Sequence, residues 1–375
     1  MLGGCALAWP AIGASFGLGS QEPPRRRSET LKRILERVRR QHELPGLAAA
    51  VVSETRSIVS AVTGVRRWRH RSNIQLADRF HIASCTKSWT ATLAAIAVQR
   101  RQLEWTTTLA DGLPSLVRRM RREYTDVTLE QLLAHEGRLP SYTQPTPQRA
   151  AELRALAGDH AQQRLAFLAQ VLTETPNEAT GDAAYSNAGY AAAGAMIEQA
   201  AGTSWEDLIR RELAAPLGLS SVGFGYPAKD ASSDQPRGHA RHGAAVVELP
   251  ITEERELAGC LWPAGAIHCS IDDLAKYAAD HLNGLRGRAA LLPVAVYEDL
   301  HRARGDSVFT LGWGRSRHPR WGVMYFGAGS GGWFFVRIVV LPEQDTAVVV
   351  ASNSGDAARA TRDLWPELVR HFANR

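Results

Sequence analysis

Ser84-Cys85-Thr86-Lys87 is the one Ser-x-x-Lys tetrad in this chain of 375 residues. Residues three apart on a helix share a face, so the Lys87 amine can approach the Ser84 hydroxyl. A serine hydroxyl is a poor nucleophile until a neighbouring base takes its proton, and a lysine acts as that base only after burial has removed its own. Only four of the 44 basic residues are lysines: Lys32, Lys87, Lys229 and Lys276. Arginine stays charged at any ordinary pH, so in a chain this biased toward arginine a lysine beside a serine carries chemical weight.

Two further segments have the residue types to complete such a site. Tyr185-Ser186-Asn187 follows a turn-like stretch, residues 176–182, and precedes an apolar run. A phenol near a lysine can hand a proton to a leaving group, and an amide can orient a substrate carbonyl. Read alone, a loop tyrosine with an asparagine helix cap is the simpler account. Gly327-Ala328-Gly329-Ser330-Gly331-Gly332 stands directly before a strand-like run. Glycines there let a substrate lie against a strand edge whose N–H can serve as an oxyanion donor; a plain hairpin turn is the alternative.

These segments need elements to hold them. A helix is predicted from Ser28, which can cap it, with Leu31, Ile34, Leu35 and Val38 on one face, and Pro45-Gly46 closes that region. Residues 47–52 and 58–65 read as strands joined by a polar turn, and 66–71 as the next hairpin loop. After Phe80-His81-Ile82 a helix over about 84–101 is apolar on most faces and hence buried. The chain to about residue 220 reads as mostly helical, with helices starting at Val127 and running over 189–201. Strands at 308–313, 333–341 and 346–352 and a helix over about 358–372 close the chain. Strands at both ends with helices between predict an α/β fold, its sheet part from about 29–83 and 255–375 and its helical part from about 84–254.

Composition narrows the class. Hydrophobic residues are 45%, charged residues 22%, and the net charge is +6, ordinary for a globular enzyme. Arginine clusters at 25–27, 66–71 and 118–122 read as solvated faces, since no aromatic-interleaved groove accompanies them, and nucleic acid is not an expected partner. Cys5, Cys85, Cys260 and Cys269 fit no zinc spacing, so neither a metal nor an obligatory disulfide is expected. Residues 2–19 are uncharged but interrupted by Pro10, too weak for a membrane span. Leu2-Gly3-Gly4-Cys5 resembles a lipoprotein processing box, yet Arg25, Arg26 and Arg27 follow the apolar run instead of preceding it. Residues 1–28 are therefore read as a leader or unstructured extension. Export to the periplasm, a lipid anchor and a cytoplasmic location all stay open, as does the oligomeric state.

Taken together, the three segments resemble, in order, the Ser-x-x-Lys, Tyr-x-Asn and Lys/His-x-Gly motifs of class C β-lactamases, penicillin-binding DD-peptidases and related esterases. The text between them is similar too. Phe80-His81-Ile82-Ala83-Ser84 resembles the family's strand-to-nucleophile junction, and Leu132-Leu133-Ala134-His135-Glu136-Gly137-Arg138-Leu139-Pro140 its LLxHxSGLP segment. Tyr185 to Tyr190, then Ala193 to Glu198 and Pro216-Leu217-Gly218-Leu219, resemble its YSNxGY, LLGxIIE and PLGM segments. Pro342-Glu343 with Val348 to Asn353 resembles its usual ending, so the likeness runs from about residue 29 to the end. It implies a β-lactamase/transpeptidase-like fold: an antiparallel sheet flanked by helices, with a helical insertion. It also implies Ser84 as the nucleophile, Lys87 as its base or base partner, and Tyr185 as proton donor to the leaving group. Asn187 would orient the substrate, and the N–H groups of Ser84 and Ser330 would form the oxyanion hole beside Gly329; which of Lys87 and Tyr185 takes the first proton stays open.

One departure bears on substrate. The third motif normally opens with Lys or His, which helps hold a substrate carboxylate, and Gly327 stands there. The resemblance therefore implies a serine hydrolase of small esters or amides with no cofactor, first a carboxylesterase and second a β-lactamase or D-alanyl-D-alanine carboxypeptidase. A non-catalytic binding module with a degenerate site is the alternative of another class, and the presence of Ser84, Lys87, Tyr185 and Asn187 together argues against it. His135 is expected to be structural. His268 and Cys269 are expected in a loop leading to a helix over 272–282. Arg315, Trp321 and Trp333 are candidates for the cleft wall, although aromatics beside a sheet belong more often to the core.

Overall fold

Six antiparallel strands form the centre of the molecule. The computed structural model describes residues 24–53, 57–178, 184–229, 232–243, 245–250, 256–305 and 307–373. The leader expected over the first 28 residues lies outside the described residues as far as residue 23, as do Cys5 and residues 179–182 of the turn ahead of Tyr185. The central sheet is built from β1 (Gly46–Ser53), β2 (Ser57–Gly64), β8 (Gly314–His318), β9 (Gly322–Ser330), β10 (Phe335–Leu341) and β11 (Thr346–Ser352). Its order is β2-β1-β11-β10-β9-β8, every neighbour antiparallel. A smaller sheet joins β3 (Arg79–His81), β7 (Ile267–Ser270) and β4 (Gly223–Phe224), and β5 (His239–His242) pairs with β6 (Ala245–Glu248).

Seven helices support the sheet and the cleft: α1 (Pro24–Gln41), α2 (Thr86–Gln99), α3 (His160–Val171), α4 (Asn187–Ala201), α5 (Ile271–Leu285), α6 (Val294–His301) and α7 (Ala358–Phe372). Successive strand side chains point to opposite faces. Leu47, Ala49, Val51, Val348 and Val350 meet Leu31 and Leu35 of α1 and Leu364 and Leu368 of α7. Ala48, Ala50, Val52, Val336, Ile338 and Val349 face the second core, with α2 and α5. A sheet covered on both sides needs apolar residues at consecutive positions, which is why β1, β10 and β11 read as nearly unbroken runs.

The structure departs from the sequence reading in several places. The first helix begins at Pro24, a residue suited to a first turn, so Ser28 is not its cap; the Ser28 hydroxyl donates to the Ser60 carbonyl at 2.9 Å. His268 and Cys269 lie in β7, whose four residues are all buried, and not in a loop; so short a run shows no readable alternation. The segment 84–254, read as helical, also contains β4, β5 and β6. Residues 308–313 do not form a strand beyond a single bridge from Phe309 to Gly314, because Thr310 N–H turns back to the Trp313 carbonyl at 2.8 Å. Gly327 to Ser330 do precede a strand, β10, and are themselves the last four residues of β9, paired with β10 despite poor intrinsic strand propensity.

Leu35 is fully buried between α1 and the sheet. Leu35→Ala is expected to lower unfolding free energy by about 2–5 kcal/mol in urea titration, while the folded fraction keeps its activity; a loss of less than about 1 kcal/mol would mean that α1 does not share the core.

Candidate active site

The chain leaves β3 through Ile82 and turns sharply at Ala83, whose φ of 44° lies in the left-handed region that β-carbon residues avoid. Its surroundings fix this conformation. Ile82 N–H donates to the Ile267 carbonyl at 2.9 Å, Cys85 N–H donates to the Ile82 carbonyl at 3.1 Å, and the Thr86 hydroxyl accepts Ile267 N–H at 3.1 Å. Ser84 is thereby presented half-buried on the one-turn helix Ala83–Cys85 that leads into α2.

One turn on, Lys87 is 3% exposed, and burial pulls its amine down to a pKa of about 7. Its Nζ donates to the Asn187 Oδ1 at 2.7 Å and to the Ala264 carbonyl at 2.8 Å, with the Ser84 Oγ at 3.4 Å. A neutral amine has two N–H groups and one lone pair. With both N–H groups spent on the closer oxygens, the lone pair is left for the Ser84 hydroxyl. The arrangement has the polarity a base needs.

Tyr185 closes the other side of Ser84. Its phenol hydrogen-bonds the Ser84 hydroxyl, and burial raises its pKa well above the ordinary value, so it stays protonated. The Lys87 Nζ sits 4.6 Å from the Tyr185 ring centre. His135 packs on the same ring at 4.2 Å, and its Nδ1 accepts the Ser186 N–H at 3.1 Å. Burial keeps the imidazole neutral, as that acceptor role requires. His135 is thus structural, as expected, but what it holds is the Tyr185-Ser186-Asn187 segment. Asn187 is fixed from both ends: its N–H donates to the Ser141 carbonyl at 2.8 Å and its Nδ2 to the Tyr142 carbonyl at 3.0 Å.

The third wall is the free end of β9. Strand β8 stops opposite Phe326, so residues 327–330 have β10 on one side and the Ala83–Cys85 turn on the other. At Gly329 a Cβ would collide with the Ile82 carbonyl oxygen, so only glycine permits this approach. At Gly327 a Cβ would meet only the Cys85 Sγ, at 3.4 Å, an ordinary contact. Position 327 thus faces the site, has room for a side chain and carries none. Ser330 is exposed, and its hydroxyl accepts the Gly332 N–H at 3.2 Å.

The remaining candidates fall elsewhere. Trp321 is buried against Trp365 on the α7 side of the sheet, and Arg315 sits on β8 opposite Tyr325, so neither lines the cleft. Trp333 packs half-buried on the main core just past the glycine turn. Residues that sequence reasoning missed include Ala264 and Tyr142, which act through backbone carbonyls and carry no side-chain signal. Phe309 was also missed; it packs edge-on against His135 at 4.8 Å. Cys85, Cys260 and Cys269 are buried free thiols. Among the described residues no three His, Cys, Asp or Glu side chains gather to hold a metal, and no helix is long and apolar enough to cross a membrane.

Similarity to known proteins agrees with this geometry. Penicillin-binding protein 4 of Amycolatopsis lactamdurans is 25% identical over 357 residues, spanning 90% of this chain and 88% of that protein. The solved structure of SurE superposes with a TM-score of 0.72 at 24% identity, over 92% of this chain and 75% of its own. That of D-amino acid amidase from Ochrobactrum anthropi SV3, complexed with L-phenylalanine, gives 0.74 at 18% identity, over 92% and 99%. These likenesses establish the β-lactamase/transpeptidase-like fold. The family model described as Beta-lactamase matches residues 31–370, from the first turns of α1 to the last of α7, and the chain accordingly belongs to the beta-lactamase family of serine hydrolases.

Proposed function

We propose that the protein hydrolyses a carboxylic ester through an acyl-enzyme on Ser84. The observation that carries this reading is the buried Lys87 amine, its Nζ 3.4 Å from the Ser84 Oγ and held by the Asn187 Oδ1 and the Ala264 carbonyl. Lys87 takes the Ser84 proton as the Oγ attacks the acyl carbon, and the N–H groups of Ser84 and Ser330 receive the developing oxyanion. Tyr185, held as a phenol by burial, gives its proton to the departing alkoxide and recovers one from Lys87. Water then attacks the acyl-Ser84 ester by the reverse sequence, releasing the acid. Asn187 holds the substrate carbonyl side while it anchors Lys87. The phenol's raised pKa speaks against a tyrosinate as the first base.

A neutral ester is favoured because Gly327 puts no cation beside the cleft. Hydrolysis of a β-lactam or D-alanyl peptide is the second reading, supported by the similarity to a penicillin-binding protein and by the fold shared with a D-amino acid amidase.

Three measurements test these readings. Hydrolysis of p-nitrophenyl butyrate is expected to exceed that of a chromogenic cephalosporin and to fall at least about a thousandfold in Ser84→Ala. Ester turnover that survives the substitution sinks the mechanism, and dominant cephalosporin cleavage moves the reading to the second one. Because Lys87 must be neutral to accept a proton, kcat/KM is expected to rise with pH through about 7 and to be lost below it. A profile flat from pH 5 to about 9 would remove Lys87 as the base. Finally, Gly327→Lys restores a cation at a position with room for it. The ratio of cephalosporin to butyrate turnover should rise by about tenfold, the size of one charge-assisted contact; an unchanged ratio means that the missing cation does not set substrate class.

A further inference from the structure

The net charge of the chain sits on one helix. α1 holds eight of the 44 basic residues and two of the 38 acidic ones, so its net charge of +6 equals that of the whole chain. The other 357 residues carry 36 basic and 36 acidic side chains and balance.

Packing decides which way these charges point. Leu31, Ile34, Leu35 and Val38 are buried against the sheet, while Arg25, Arg26, Lys32, Arg33, Arg37 and Arg40 are exposed. At about 3.6 residues per turn, Arg26, Arg33, Arg37 and Arg40 fall in one row opposite the buried stripe, over about 21 Å of helix. Ion pairs do not cancel this field. Arg25 reaches Glu29 at 3.4 Å with both side chains mostly exposed, a contact of little energetic worth. Arg26, Lys32 and Arg33 meet no carboxylate among the described residues, and Arg33 donates to the Thr30 hydroxyl at 3.1 Å. Arg37 reaches Glu367 of α7 at 2.6 Å, and α7 itself has three arginines against two acids, so the neighbouring helix does not offset the charge.

A field of one sign attracts polyanions. The sequence ahead of α1 selects among them. Residues 2–19 carry no charge and include Leu2, Leu7, Trp9, Ile12, Phe16 and Leu18. A lipid boundary takes such side chains, and a nucleic acid has no use for them. A run too weak to span a bilayer needs a second signal for stable attachment, and a basic surface beside it supplies one. Arginines that follow the apolar run, out of place in a secretory leader, are in place for this. The fold permits it as well: α1 covers one face of the sheet and α2, which follows Ser84, the other.

We propose that the outward face of α1 docks the protein on an anionic lipid surface, with Arg26, Lys32, Arg33, Arg37 and Arg40 at the headgroup phosphates and the Ser84 cleft on the far side of the sheet. This does not depend on the esterase reading.

Co-sedimentation of the full chain with vesicles tests it. Phosphatidylcholine vesicles with about a quarter phosphatidylglycerol should bind the protein in about 0.05 M salt and release it at about 0.5 M. Pure phosphatidylcholine should bind it at least about tenfold more weakly. Arg26→Gln, Lys32→Gln and Arg33→Gln together should weaken binding by about a hundredfold, at about fivefold per charge. The same change at Arg118, Arg119 and Arg122, exposed in the helical part of the chain, should weaken it by less than about threefold. None of these side chains is buried, so both variants should keep the wild-type unfolding midpoint. The lipid and salt comparisons read the wild type and stand whatever the variants do. No pelleting with anionic vesicles, equal binding to neutral ones, equal loss in the two variants, or a DNA duplex that strips the protein from anionic vesicles at equal phosphate would each overturn the proposal.

Discussion

The structure turns on an amine held out of water. The charged form of a buried ammonium costs several kcal/mol, and the drop of Lys87 from 10.5 to about 7 corresponds to disfavouring it by on the order of 5 kcal/mol. Losing the proton relieves that cost but leaves two N–H groups that need acceptors in a dry place. They find Asn187 and the Ala264 carbonyl, 100 and 177 residues away in sequence. The acceptors of the buried Lys87 amine are therefore in place only where three distant pieces of chain meet.

Much of the surrounding structure holds those acceptors still. Ala264 belongs to the short helix Trp262–Gly265, whose Pro263 carbonyl accepts the Thr90 hydroxyl at 2.7 Å, and Thr90 in turn accepts Trp205 Nε1–H at 3.1 Å. Gly194 of α4 lets Pro263 approach; a Cβ there would stand 2.6 Å from its ring. Arg164, fully buried, donates to the Gly259 carbonyl at 3.1 Å and is gripped by Glu198 and Glu206. Removing one partner from such a buried set costs about 3–5 kcal/mol, so the segment carrying Ala264 is stiff. On the opposite side, His135 and the carbonyls of Ser141 and Tyr142 do the same for Tyr185 and Asn187.

The second constraint is steric. The end of β9 is free on one side and close to Ser84 on the other. Strand β8 provides the freedom by ending at Gly314, opposite Phe326. The absence of a Cβ at Gly329 provides the closeness, since the Ile82 carbonyl occupies that space. The same economy of side chains reaches Gly327, where it is not sterically required. The two glycines therefore differ: one is sterically forced and the other is free.

Sequence alone determined what depends on local order and composition. The Ser84–Lys87 spacing follows from the helical repeat, the buried strands at 47–52 and 346–352 from unbroken apolar runs, and the last helix from its periodicity. The first motif was legible because lysine is rare in this chain, and the other two because their order and the text between them resemble a known family. Tertiary structure alone decided what depends on distance between remote segments. The strand over 322–330 exists because β10 pairs with it, while 308–313, apolar enough for a strand, turns back on itself. Lys87 owes its lowered pKa to burial, and the Ala264 carbonyl that meets its amine is a backbone oxygen, which leaves no mark on a sequence. Periodicity reports which face of an element is apolar; it does not report which other element will cover that face, and at this site that covering is the burial that lowers the Lys87 pKa.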